Sequence, residues 1–450
     1  MITDKYGGLH VFENSTVGRL LQEIVDGSIE AVKPSTLFER GFYLYGNRLD
    51  AFGKELDLDR YKNIKCIAIG KSAEAMTYEI EKKLGNNATG IIASPVEKHF
   101  EVKGFRFFKT GHPFPDRESV DAAGEIISSV SSCAEKDLLI FLISGGGSAA
   151  AFLPVSGVSL SEVNETLKLL FDNGFPIDKI NLVRRHLSQV GGGKLAALSP
   201  ESEKMSLIIS DVIGDDLPSI ASGLSIEDPT TPIDAFAFLE GSGLMDRVPK
   251  SIPQILLETG KSYSKVNLKN NYVKIIASNV DAMSAAQNAG IKEGFSALVL
   301  TRFLDLNTQS AADLLVSIAR SIGLEGKRDP TLILLGGETT VKITGSGTGG
   351  RNQQLVLEAL YKLAKLPIKL ETLGNLIVFS FGTDGKDGNS DAAGAYASVD
   401  VLKRVENGPA VVEKYISEND SYSFFAKYGG LIMTGPTDTN VMDIMGIIAE

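Results

Sequence analysis

Short apolar runs that end in glycine or a small polar residue, each followed by apolar residues at helical spacing, recur along this chain of 450 residues. Residues 64–70 lead into a helical pattern over 72–84, and 90–94, 105–109, 138–144 and 206–210 repeat the form. A strand that is apolar throughout, rather than at alternate positions, is buried on both faces, and helix-length segments between such strands serve as crossovers. The pattern therefore predicts a parallel, doubly wound sheet of the Rossmann-like α/β type. Ahead of it, 17–32 and 34–45 carry helical periodicity, the first opened by Ser15 or Thr16 as a cap.

The stretch 241–271 changes character, with Gly241, Gly243, Pro249, Pro253, Lys261, Lys265 and Lys269, and it predicts a connection between domains. A second α/β series follows, with strands over 272–277, 297–300, 331–335, a hairpin partner over 340–343, then 376–381 and 441–448, and helices over 282–290, 311–322 and from Arg351. The expected organisation is a Rossmann-like N-terminal domain over 1–250 and a second α/β domain over 270–450.

Acidic residues number 56 against 45 basic ones, a net charge of −11, which disfavours nonspecific attraction to nucleic acid or an anionic membrane. An anionic ligand would need a local positive site. The apolar runs fall far short of the roughly 20 residues of a membrane helix, and the start, from Met1 to Lys5, lacks a signal peptide's apolar core, so a cytoplasmic location is expected. Cys66 and Cys133 lie in or beside apolar segments and read as core thiols rather than a disulfide or metal pair. Among the histidines, His10 and His99 read as incidental, His112 as positioning a loop just past a strand, and His186 as part of a helix. No two have the spacing of a zinc helix.

In open α/β sheets, ligands bind beyond the carboxyl ends of the strands. Four such ends are crowded. Gly70-Lys71-Ser72-Ala73 offers a tight turn, a helix start and a lysine, which together can hold an anion, although a surface lysine beside a cap is the competing reading. Ser144-Gly145-Gly146-Gly147-Ser148 leaves backbone N–H groups unshielded after a wholly apolar strand, which suits phosphate oxygens. In Ser210-Asp211 with Gly214-Asp215-Asp216, Asp211 is the best candidate for Mg²⁺, whereas Asp215 and Asp216 serve equally well as caps. The fourth end combines Gly336-Gly337-Glu338-Thr339-Thr340, Gly349-Gly350-Arg351-Asn352-Gln353 and Gly382-Thr383-Asp384-Gly385 with Asp387. Arg351 supplies a charged fork for a carboxylate or phosphate, with a surface ion pair as the plain alternative. Asp384 and Asp387 read as metal ligands or as turn aspartates, and the glycine density exceeds what folding alone demands.

These segments, with Gly111-His112-Pro113, Pro115-Asp116, Arg185-His186-Leu187-Ser188 and Gly192-Gly193-Lys194-Leu195, span nearly the whole chain in order. The chain resembles the glycerate 2-kinases, whose second domain is called MOFRL. The resemblance implies ATP- and Mg²⁺-dependent phosphorylation of D-glycerate on its 2-hydroxyl, giving 2-phosphoglycerate and ADP, in a cleft between the two domains. Lys71 and Arg351 match the lysine and arginine considered catalytic in that family. Ser144, Gly145, Gly146, Gly147, Ser148, Gly337, Glu338 and Thr339 become candidates to contact the nucleotide, and Asp211 and Asp384 to hold Mg²⁺. The implied partners are D-glycerate and ATP, with no nucleic acid and no membrane, and a homodimer stays open.

Phosphoryl transfer demands mainly positioning and neutralisation of charge, for which such loops, a lysine, an arginine and Mg²⁺ suffice. Alanine at Lys71 or Arg351 is then expected to lower kcat about tenfold or more and to leave the melting temperature nearly unchanged. Three rivals remain. An NAD(P)H-dependent hydroxypyruvate reductase would want G-x-G-x-x-G where the first loop reads Gly70-Lys71-Ser72-Ala73-Glu74-Ala75. A serine hydrolase would need Ser148 to meet a histidine, and none follows His186. A noncatalytic sugar-acid or nucleotide sensor would use the same loops without turnover.

Overall fold

The computed structural model describes residues 15–324, 329–366, 375–405 and 408–450, so His10 lies outside the described residues. The described residues divide into two compact units, 34–276 and 15–33 with those from 277 onward.

In the first unit, helix Pro34–Gly41 is followed by an antiparallel meander of β1 (Phe42–Tyr45), β2 (Arg48–Ala51) and β3 (Lys54–Asp57). The helical reading of 34–45 thus fails at its end, because the backbone of 42–45 pairs with that of 48–51. The main sheet contains β4 (Asn63–Ile69), β5 (Ala88–Ser94), β6 (Phe105–Lys109), β7 (Asp137–Ile143), β8 (Glu203–Ile209) and β9 (Asn271–Ala277), in the order β6-β5-β4-β7-β8-β9. The pairings from β6 through β8 are parallel. Every residue of β7 is buried, as expected of a central strand covered on both faces by helices. Taken in chain order, the sheet runs 3-2-1-4-5-6, so the connections from β4 and β7 depart in opposite directions and leave a crevice at their carboxyl ends.

Two expectations change here. The strand over 271–277 completes this first sheet beside β8 instead of opening the second series. The stretch 241–271 is no loose connection: Leu244, Val248, Ile252 and Leu256 are buried in a core shared with helices Leu160–Asp172, Ile177–His186 and Pro232–Gly241. Its glycines and prolines punctuate the turns around helix Ser251–Lys261.

The second unit carries a mixed sheet of β10 (Ser296–Asn307), β11 (Thr331–Thr340), β12 (Leu376–Gly382), β13 (Gly394–Ser398), β14 (Leu431–Ile432) and β15 (Asp443–Ala449), ordered β10-β11-β15-β12-β13-β14. β10 and β11 are parallel and the remaining pairs antiparallel. The last strand lies in mid-sheet, entirely buried, between β11 and β12. Helix Thr16–Val32 belongs to this unit, not to the N-terminal one as its position in the chain suggested. Its buried stripe of Val17, Leu20, Leu21, Ile24 and Val25 packs on helix Asn279–Lys292, and Thr439 Oγ1 donates to Val32 O at 2.8 Å. The expected hairpin partner over 340–343 is absent, because β11 itself runs to Thr340 and the chain then turns to hydrogen-bond with 417–420. Among the described residues no helix is long and apolar enough to cross a membrane.

Candidate active site

In the first unit, the loops after β4, β7 and β8 converge. Gly70 follows β4 at φ +119°, and a side chain there would strike the Ser144 carbonyl. Lys71 N donates to Gly145 O at 2.8 Å and Ser72 N to Ser144 Oγ at 2.9 Å, so the lysine turn and the glycine loop are stitched together. Ser72 then opens helix Ala73–Leu84, and Lys71 stands at its entry.

The three glycines are matched to what surrounds them. A side chain on Gly145 would collide with the Asp211 carboxylate, and one on Gly147 with the Ala221 methyl. At Gly146, in the left-handed region at φ +82°, a methyl would stand 3.1 Å from the His112 ring and 3.5 Å from the Lys71 stem. The loop thereby gathers Lys71, His112 and Asp211 around a glycine backbone that carries no side chains of its own, an arrangement suited to an oxyanion. Ser148 Oγ accepts from Ser222 Oγ at 2.8 Å, while His186 Nε2 lies 3.0 Å from Thr230 Oγ1. Asp216 accepts from Ser219 Oγ at 2.5 Å, and the short helix after Pro218 has Ser219 at its start with no side-chain cap, so the capping alternative for Asp216 is not formed.

In the second unit, Gly350 caps helix Arg351–Ala364 and delivers Arg351 at its first position. Arg351 is ion-paired on both sides, with a buried partner and a partly exposed one. Its Nε and Nη2 donate to the two oxygens of Asp443 at 2.6 and 2.9 Å, and Nη1 lies 2.6 Å from Glu338 Oε1. Asp443 is fully buried. Burial works against the guanidinium charge, but Asp443 and Glu338 outweigh it and hold the Arg351 pKa above its ordinary value. The thermal expectation for Arg351→Ala is corrected accordingly: removing the arginine leaves Asp443 charged, buried and unpartnered.

Asp387 is a cap. Buried beneath the same helix start, it accepts from the backbone N–H of Asn352 and Gln353 at 3.1 and 2.9 Å and from Gln353 Nε2 at 3.0 Å. Burial pushes its pKa up to about 6 despite these donors. Asp384 and Asp443 flank Gly382, each carboxylate 3.3 Å from where a methyl would stand. Glycine density here follows from close approach: side chains on Gly345 and Gly350 would run into Glu418 backbone and Asp387, respectively. Folding alone accounts for these positions, contrary to expectation. Gly337 is held at φ +142° against Leu304 backbone, and Thr339 is buried beside Glu338.

Among the described residues, no group of three His, Cys, Asp or Glu side chains forms a ready metal cage. A magnesium ion carried with phosphates needs only one or two carboxylates, its other positions going to phosphate oxygens and water. Asp211, lodged against the glycine loop, fits that role.

Residues 20–257 match the model of a domain of unknown function, DUF4147, and residues 331–443 match that of the MOFRL family. The glycerate 2-kinase of Pyrococcus horikoshii is 35% identical over 430 residues, covering 94% of this chain and 95% of its own. The chain belongs to the glycerate 2-kinase family. The D-glycerate 2-kinase of Thermotoga maritima is 34% identical over 444 residues, 97% of this chain and all of its own length. The solved structure of a Thermotoga maritima glycerate kinase superimposes with a TM-score of 0.80 at 31% identity, covering 96% of this chain and 99% of that one. Members of the family are transferases, and the two α/β units described above are the fold they share.

Sequence reasoning missed Asp443, the group that orients Arg351. Its signal was present: an aspartate opening an otherwise apolar final strand has to be paired when that strand is buried.

Proposed function

We propose that this glycerate 2-kinase family member transfers the γ-phosphoryl group of ATP to the 2-hydroxyl of D-glycerate, yielding 2-phosphoglycerate and ADP. The observation that carries the reading is the convergence of Lys71, the Ser144 to Ser148 loop and Asp211 at the switch point of the first sheet. Backbone N–H groups of the loop hold phosphoryl oxygens, and the Lys71 ammonium neutralises charge as the phosphoryl group moves. Asp211, with Asp384 as the second candidate, holds Mg²⁺, which when bound shields charge on the phosphates. Arg351 contributes a guanidinium whose direction is set by Asp443 and whose Nη1 engages the substrate carboxylate or the phosphoryl group in place of Glu338.

An ADP-release assay with ATP, Mg²⁺ and D-glycerate tests the reaction, and NMR of the product distinguishes 2-phosphoglycerate from 3-phosphoglycerate. ADP release that depends on glycerate and yields the 2-phosphate is expected. Ligand binding without ADP release would return the protein to the sensor class, and NADH oxidation with hydroxypyruvate would return it to the reductases.

A further inference from the structure

Helix Ile177–His186 ends in three consecutive basic residues, all buried. Arg185 is provided for: its Nε lies 3.1 Å from Asp228 Oδ2 and its Nη1 donates to Pro218 O at 2.8 Å. Lys194, half-buried against this helix end, donates to the carbonyls of Arg185 and Ser188. Burial pushes its pKa down to about 8, with Asp228 acting in the opposite direction. His186 is likewise pushed well below the usual histidine range by burial, Asp228 opposing. Asp228 thus serves Arg185, His186 and Lys194 together.

Arg184 has no such partner. It is 5% exposed, and its one hydrogen bond among the described residues runs from Nη1 to the neutral Asn181 Oδ1 at 3.3 Å. Nε and Nη2 meet no acceptor among the described residues. Those two atoms form the edge of the guanidinium that matches two oxygens of a carboxylate or phosphate, the edge that Arg351 gives to Asp443. Burial pushes the Arg184 pKa down to about 10. An uncompensated buried cation is strongly unfavourable, and a bound anion offsets that cost.

The helix end, through Arg185 and the turn at 191–193, adjoins the glycine loop. Gly192 N and Gly193 N donate to Ser222 O and Gly223 O at 2.9 and 2.7 Å. Ala221 and Ser222 are both in the left-handed region, at φ 49° and 57°, with the Ala221 methyl against Gly147 and Ser222 Oγ bonded to Ser148. Strained non-glycine backbone of this kind persists only where its surroundings enforce it, and such residues cluster at ligand sites.

We propose that Arg184 is a substrate-binding residue whose unpaired Nε and Nη2 edge takes an oxyanion of the bound reactants, either the glycerate carboxylate or a nucleotide phosphate. The proposal rests on the kinase reading for the identity of the reactants. It is tested with Arg184→Met, which keeps the volume and removes the charge, and Arg184→Lys, which keeps the charge and loses the fork. KM for D-glycerate is expected to rise about tenfold or more with KM for ATP within about twofold if the carboxylate is bound, and the reverse if a phosphate is bound. Arg184→Met is expected to melt no lower than the parent. Both KM values within about twofold of the parent in both variants overturn the proposal. If Arg184→Met does not fold, Arg184→Lys decides by the same comparison. Should the parent enzyme release no ADP, calorimetric titration with D-glycerate and with inorganic phosphate still decides: binding lost in Arg184→Lys supports the site, and equal binding by both proteins, or by neither, removes it.

Discussion

Replacing Asp443 by asparagine keeps the shape of the side chain, removes its charge and turns an amide N–H toward the Arg351 guanidinium. Two short charge-assisted bonds, at 2.6 and 2.9 Å, are put at risk in a position with no solvent access. Removing one partner of a buried ion pair costs about 3–5 kcal/mol. Arg351 keeps Glu338 at 2.6 Å and its side chain is 33% exposed, so the lower end, about 3 kcal/mol, applies. For a domain of this size that lowers Tm by about 6–12 °C, at roughly 2–4 °C per kcal/mol. Arg351→Ala should destabilise by a comparable amount by orphaning Asp443. The double variant should then be more stable than the sum of the two losses predicts, because no charge is left buried alone. Calorimetric melting of the four proteins, read with their kcat values, measures the coupling. A misdirected guanidinium is expected to lower kcat of Asp443→Asn about a hundredfold. Stability losses that add to within about 0.5 kcal/mol would refute the coupling, and parental kcat in Asp443→Asn would refute the orienting role.

Lys71→Ala is expected to lower kcat about tenfold or more with Tm within about 2 °C, by steady-state assay and calorimetry. Gly145→Ala drives a methyl into the Asp211 carboxylate; a loss of about 1–3 kcal/mol and of most activity is expected, and an unperturbed variant would mean that the two loops are not in contact. The raised Asp387 pKa favours its protonated form in the folded state, so its contribution to stability is full below about pH 4 and lost as pH rises through about 6. Chemical denaturation between these limits should show that decline in the parent and a flatter profile in Asp387→Asn; identical slopes would place the titration elsewhere.

The strands from β4 to β8 were legible because burial on both faces demands continuous apolar runs, and their glycine-bearing ends marked where Lys71, Ser144 to Ser148 and Asp211 would lie. Local pattern fails where partners come from far along the chain. Helix Thr16–Val32 carries an apolar stripe that any apolar face would accept, and it packs against Asn279–Lys292. β9 reads as the start of a new series because an edge strand looks the same whichever sheet it joins.

Sequence alone therefore determined the kind of layers this protein builds, the loops that carry its chemistry and the family it belongs to, since all of these rest on residue type and spacing over short stretches. Tertiary structure decided which charges are compensated. It gave Arg351 to an aspartate 92 residues away, set Asp387 at a helix start, filled the space above each loop glycine with a named neighbour, and left one edge of Arg184 without an acceptor among the described residues. The reason is that pairing between charges depends on distance and on exclusion of water, and neither exists until the strands are side by side.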